Sequence, residues 1–230
     1  NKFEFRMLGS SMSTADPNVI LNTTVADALC GFADRLEKAA DFNSELDAIL
    51  RETVKEHKHI IFNGNNYADE WIEEAEERGL LNLRTTVDAL MLFDSEKNIE
   101  LFTKHKIFTE AEIRSRKEIQ LENYCKVLNI EALTMIDMVR KDIYPAVQSY
   151  ISELSKTLSA KSALGIETED DPCLGLVKRL DSLAAKAYII ADRLDSLLTA
   201  VKAVKDEEEK GIFFKSEILE AMHELRTVVD

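Results

Sequence analysis

The chain has 230 residues and a mass of 26.1 kDa, with 45% hydrophobic and 31% charged residues; that is enough apolar material for one large core or two small ones. Seven glycines and three prolines exclude collagen, Pro-rich linkers and turn-dense all-β sandwiches. Lys+Arg 29 against Asp+Glu 43 leaves a net charge of −14, which argues against nucleic acid as a partner and against attraction to an anionic membrane surface.

Residues 1–8 (NKFEFRML) alternate, with Phe3, Phe5 and Met7 on one face of an expected strand and Lys2, Glu4 and Arg6 on the other. Asp16-Pro17 predicts a helix start, with Asp16 as the capping carboxylate. Leu21, Val25, Ala28, Phe32 and Leu36 give that helix an apolar stripe to about Lys38. A second helix is expected over 44–58. Asn63-Gly64-Asn65-Asn66 is the strongest turn signal. A short acidic helix from Tyr67 to Arg78 closes on Gly79, with Trp71, Tyr67 and Ile72 as its anchors. Shorter helices are expected near 85–93 and 95–106.

Thr109-Glu110-Ala111-Glu112 reads as a capping box. A helical pattern then runs to about Leu164, with a kink expected at Pro145, and Gly165 to Pro172 is a polar break. From Leu176 the apolar residues Leu180, Leu183, Ala187, Ile190, Leu194, Leu197, Val201 and Val204 step by four and three, a heptad seam. Lys210-Gly211 reads as a break. Phe214, Ile218, Ala221, Leu225 and Val228 then resume the stepping, so the last hundred residues read as a helical hairpin or bundle. The whole is mainly α, with a short N-terminal β-strand.

No run of about 18 apolar residues is present, so no membrane span is expected, and no signal peptide is visible. Cys30, Cys125 and Cys173 lie far apart without a CxxC. That implies reduced thiols in a cytoplasmic setting, each serving as a small core hydrophobe. The sequence opens at Asn1 in a strand-like pattern and ends at Asp230 in a helical one. It therefore reads as part of a longer protein.

Chemistry is suggested by spacing at one place. Lys2, Glu4 and Arg6 would stand about 7 Å apart on one strand face. Such a row can hold a divalent ion through the carboxylate and anionic oxygens through the cations. By spacing alone an ordinary solvated face with cross-strand ion pairs is the simpler account. His57 and His59 are two apart and do not share a helix face, so a helix C-terminus attracting His explains them better than a metal. The acidic runs Glu73–Glu77 and Asp206–Glu209 read as solvated helix surface.

Asn1 to Met7 resembles the last catalytic-domain strand of glutamine synthetases, where a Glu-x-Arg pair precedes a loop and an NP-type helix start, here Ala15-Asp16-Pro17-Asn18. The wording FEFRMLGSS (3–11), IFNGN (61–65), LRTTVDAL (83–90), FTEAEIRSR (108–116) and LENYCKVLNIEALTMIDM (121–138) resembles the type III enzymes in particular. The likeness is strongest from 1 to about 145. It implies ATP-dependent joining of glutamate and ammonia through a γ-glutamyl phosphate. It also implies Mg2+ or Mn2+ as cofactor, and a ring-shaped homo-oligomer with active sites between subunits. By the same resemblance, Glu4 matches a metal ligand and Arg6 a catalytic residue contacting substrate and the transferring phosphoryl group. Lys2 matches a position near the nucleotide phosphates that is commonly Arg; lysine keeps the charge but lacks the planar fork.

Residues 1–130 are then expected to be the end of a catalytic α+β domain, and 131–230 a type III helical extension carrying the heptad seam. The fragment alone should be inactive, because the rest of the family's site would lie upstream. The competing expectation is a non-catalytic helical module that uses its seam for assembly. Such a module has no need of the Lys2-Glu4-Arg6 row.

Overall fold

The computed structural model describes Gly9, residues 12–65 and residues 67–230. The strand expected over residues 1–8 lies outside the described residues. Among the described residues the chain is mainly helical and contains no strand. It divides into two compact units. The first holds the residues to Arg84 together with Leu92–Arg114, and the second holds Thr85–Met91 and Ser115–Asp230.

In the first unit, α1 (Ala15–Lys38) starts one residue before the expected Asp16. Thr14 is its N-cap, and the Ala15 amide donates to Ser13 Oγ at 3.2 Å, so Asp16 sits in the first turn rather than capping it. α2 (Phe42–Glu56) is capped by Asp41, whose carboxylate accepts from the Ser44 amide. Arg35 of α1 donates Nε to Glu45 Oε1 at 2.8 Å and Nη1 to Glu52 Oε2 at 2.7 Å, which ties α1 to α2. α3 (Asp69–Glu77) ends as expected on Gly79. With φ 79° at Gly79, its amide reaches Glu76 O and the Leu80 amide reaches Ala75 O, the paired bonds of a Schellman stop. α5 (Glu96–Lys104) contributes the buried Phe102, whose ring centroid lies 5.5 Å from that of Phe108.

The buried apolar set of the first unit is small: Ile49, Phe102 and Ile113, with Thr23 beside them in burial. Val25, Leu29, Leu50 and Val54 are all more than half exposed. Cys30 is exposed too, not the small core residue its apolar surroundings suggested, because among the residues of α1 Thr23 alone is buried.

The second unit holds the main core. α6 (Glu110–Met138) opens in the first unit with the expected capping box, Thr109 and Glu112 each accepting the other's amide. From Ser115 on it belongs to the second unit. It passes through a π-helical turn, Val139–Ile143, into α7 (Tyr144–Ala163). The interruption expected at Pro145 thus takes the form of a widened turn just before it, which leaves Pro145 near the start of α7, where no amide is required. α7 stops at Gly165 (φ 76°), and α8 (Pro172–Ala200) starts on Asp171, which accepts from the Cys173 amide at 2.8 Å.

α8 packs between α7 and the C-terminal helix α10 (Leu219–Val229). A helix with neighbours on two sides needs a stripe wider than two positions per heptad. Accordingly Ala184, Ala191 and Leu198 are buried alongside the expected Ala187, Leu194 and Val201. At the start of the seam Leu176 is 37% exposed. Phe214, Ile218, Ala221 and Leu225 are buried as expected, although residues 214–218 form a second π turn.

The expected break at Lys210-Gly211 is not one. Helix α9 (Glu207–Phe213) runs through it, and the break lies at Val204–Asp206. Gly211 is there for closeness: a Cβ on it would lie 3.1 Å from Leu121 Cδ2 and 3.6 Å from Val87 Cγ2 of α4 (Thr86–Met91). The acidic run before it is only partly solvent. Glu208 pairs at 2.5 Å with Lys117, a lysine 6% exposed on the core face of α6, and Asp206 caps α9 through the Glu209 amide.

Candidate functional site

Lys2, Glu4 and Arg6, the candidate site of the sequence, lie outside the described residues. What the described residues add is a set of closed polar clusters, each confined to one unit.

In the first unit Asp27 of α1 accepts from Lys104 Nζ at 2.6 Å, and the His105 ring lies 2.8 Å away. The lysine, and then the histidine, hold the Asp27 carboxyl below its ordinary value. Phe62 stacks on Trp71 with centroids 3.9 Å apart, and the Arg78 guanidinium lies 5.3 Å from the Trp71 ring centre. Arg78 also donates at 3.1 Å to the carbonyls of His59 and Ile61 and pairs with Glu74. Trp71 therefore does anchor the acidic helix, but its partners are Phe62 and Arg78; Tyr67 is 83% exposed. His57 is the C-cap of α2, and its ring and that of His59 sit 6.4 Å apart and tilted by 48°.

In the second unit Arg140, on the π turn, donates to Asp195 at 2.9 Å and Asp192 at 2.6 Å on α8. With Ser196 and Thr199 these line a shallow polar depression. Asp192 and Asp195 stand three apart on one helix face, so both reach Arg140. Lys215 holds Asp88 at 2.5 Å, which, with the Thr85 hydroxyl, lowers the Asp88 carboxyl. Cys125 is buried, and burial pushes its thiol up to about 11, so it is an unreactive core residue.

These clusters pair each carboxylate with a cation. Perturbed catalytic acids are recognised by a raised carboxyl or two carboxyls sharing a site, and the shifted aspartates here move the other way. Among the described residues no group of three or more His, Cys, Asp or Glu is placed to hold a metal ion. No described helix is long and apolar enough to cross a membrane.

Comparison with known proteins supplies the family. The profile described as "Glutamine synthetase C-terminal domain" matches residues 45–162. A glutamine synthetase of Butyrivibrio fibrisolvens is 38% identical over 193 residues, covering 83% of this chain and 27% of that protein. A type-3 glutamine synthetase of Dictyostelium discoideum is 30% identical over 237 residues, covering all of this chain and 32% of that protein. A glutamine synthetase of Bacteroides fragilis is 25% identical over 238 residues and is covered to 33%. The chain spans about a third of the length of the curated relatives it matches. With half of its residues matched by the family profile and its full length aligned to a type-3 enzyme, the chain belongs to the glutamine synthetase family, in its type III branch, and carries that family's C-terminal domain.

Proposed function

We propose that this chain is the C-terminal part of a glutamate–ammonia ligase that forms glutamine at the expense of ATP through a γ-glutamyl phosphate. In this reading residues 1–130 close the catalytic domain and residues 131–230 are the type III helical extension. The working enzyme is a cytoplasmic, ring-shaped homo-oligomer whose site is completed by segments outside this chain, so the chain alone is inactive. The observation that carries the reading is family membership itself, established over 45–162 by profile and over the whole chain by alignment.

The residue roles follow from the Glu-x-Arg wording near the N-terminus. Glu4 offers hard carboxylate oxygens, the donor type that Mg2+ and Mn2+ prefer; the remaining ligands would come from outside this chain. A divalent ion, when bound, neutralises charge on the phosphoryl group in transfer. Arg6 presents a planar fork that can grip a phosphoryl or carboxylate group through two parallel bonds. Lys2 places a point charge toward the nucleotide phosphates. Positioning and charge neutralisation are the main catalytic contributions in phosphoryl transfer, and a cation–anion–cation row suits both.

The test is Glu4→Ala in the full-length protein, assayed for metal-dependent glutamine formation. We expect a loss of at least two orders of magnitude with an unchanged melt. Near-normal activity in that variant would overturn the assignment of Glu4.

A further inference from the structure

We propose that α4 is a reversible strap: a helix that forms only as it docks on α9 and the second π turn, and through which the C-terminal helices hold an excursion of the first unit. Residues 81–84 lead out of the first unit and residues 92–95 lead back into it, while Thr85–Met91 between them belong to the second. Each flank is tied down inside the first unit. Asn82 Nδ2 donates to Glu76 Oε1 of α3 at 2.9 Å, and Asn98 Nδ2 of α5 donates to the Leu92 carbonyl at 2.8 Å. The flanks themselves contain neither helix nor strand. α4 is six residues long, well below the roughly 12–15 at which a lone helix becomes even marginal in water. Its helical shape therefore comes from what it docks on. Val87 and Leu90 are buried there, and Val87 lies in the space that Gly211 of α9 leaves open.

Asp88 joins the folding of α4 to its docking. Its Oδ2 accepts from the Thr85 hydroxyl at 2.7 Å, and the Asp88 amide donates to Thr85 Oγ1 at 3.2 Å, which closes the first turn in the manner of a capping box. Its Oδ1 accepts from Lys215 Nζ at 2.5 Å. One carboxylate thus caps α4 and anchors it, so losing either contact frees the group that the other needs held. Lys215 stands on the π turn at residues 214–218, a local widening that is frequent at functional places in helices. Two buried side chains and one half-exposed ion pair are a small holding force beside α8, whose Ala191 and Leu194 are 0% exposed. α4 is therefore placed at the low-stability end of the second unit and opens by itself, without the rest of the core. When it opens, Val87 and Leu90 leave their slot and segments 81–84 and 92–95 gain slack. The state of residues 207–218 in this way sets the state of residues 81–95.

The strap does not depend on the ligase reading, and either can fail without the other. The test is hydrogen exchange, read peptide by peptide, on the full-length protein that contains this chain, without substrates. The amides of residues 89–91, of which Ala89 donates to the Thr85 carbonyl at 3.1 Å, should exchange about 100-fold or more faster than those of residues 191–198 in α8. Lys215→Met keeps the aliphatic stem and removes the charge. It should speed exchange in residues 86–91 about tenfold and leave residues 191–198 unchanged. Thr85→Ala, which does not touch Lys215, should speed the same peptide. Asp88→Asn combined with Lys215→Met should exceed the faster single variant by no more than about threefold, because both remove one shared contact. Residues 89–91 exchanging as slowly as 191–198, a Lys215→Met variant with unchanged exchange in 86–91 or equal acceleration in 191–198, or a double variant showing the full product of its two single effects would each overturn the proposal.

Discussion

Replacing Leu194 with alanine should cost the second unit about 4 kcal/mol. Leu194 is 0% exposed on α8, inside the cluster that also holds Ala187, Ala191, Leu198 and Ile218. Buried Leu→Ala changes cost roughly 2–5 kcal/mol, depending on how far the surroundings collapse into the void. Collapse is limited here, because the neighbouring core positions of α8, Ala187 and Ala191, are already alanine and have no side chain to move in; the estimate therefore falls in the upper half of that range. For a unit of this size each kcal/mol lowers the midpoint by roughly 3–6 °C, so a fall of about 12–24 °C is expected in a circular-dichroism melt. Leu176→Ala is the control on the same seam. At 37% exposed it should cost about 1 kcal/mol or less, and Leu194→Met less than about 1.5 kcal/mol. Equal losses at 176 and 194, or a loss below about 1 kcal/mol at 194, would refute the placement of the core on this face of α8.

Gly211→Val should lower the urea midpoint by the equivalent of about 2 kcal/mol through overpacking against Leu121 and Val87. Gly211→Ala should be close to neutral, since its gain in helix propensity offsets the 3.1 Å contact. A thiol reagent at pH 8 should label the exposed Cys30 quickly and the buried Cys125 about 100-fold more slowly or only on unfolding. Because the folded Cys125 thiol sits at about 11, above its unfolded value, its contribution is present below about pH 8.5 and is lost as pH rises toward 11. Asp27 has the opposite sign. Its carboxyl is lowered by Lys104 and then His105, so its contribution is present above about pH 4 and is lost as pH falls. Asp27→Asn should flatten the acid limb of the melting profile of the first unit, and an unchanged limb would contradict the contact.

Periodicity made most of the fold legible. The 4–3 stepping of Leu180 to Val201 and of Phe214 to Leu225 placed the core faces of α8 and α10, because burial on a helix imposes that spacing whatever the neighbours are. The same reading missed Ala184, Ala191 and Leu198, since a stripe widens only when a helix has partners on two sides, and partners are not written in the helix's own sequence. Gly211 reads as a stop in the sequence because glycine stops helices more often than it lets two of them approach; the approach of Leu121 and Val87 depends on residues about 90 and 124 positions earlier in the chain. The local apolar company of Cys30 and Tyr67 points to packing, but Cys30 is exposed and Tyr67 is 83% exposed. The candidate site was legible differently. The spacing of Lys2, Glu4 and Arg6 by itself favours a solvated strand face over a metal and phosphoryl site, and it is the FEFRMLGSS wording that reverses the preference. The ion-pair clamps, Arg140 on Asp192 and Asp195 and Asp27 on Lys104, join residues 52 to 77 positions apart, which a single sequence cannot pair.

The most direct test of the account is a coupled assay of glutamine formation from glutamate, ammonia and ATP with Mg2+ or Mn2+. It would be run on the full-length protein that contains this chain and, beside it, on the 230-residue chain. The account predicts activity in the former and none in the latter. A folded full-length protein that forms no glutamine with either metal would contradict it.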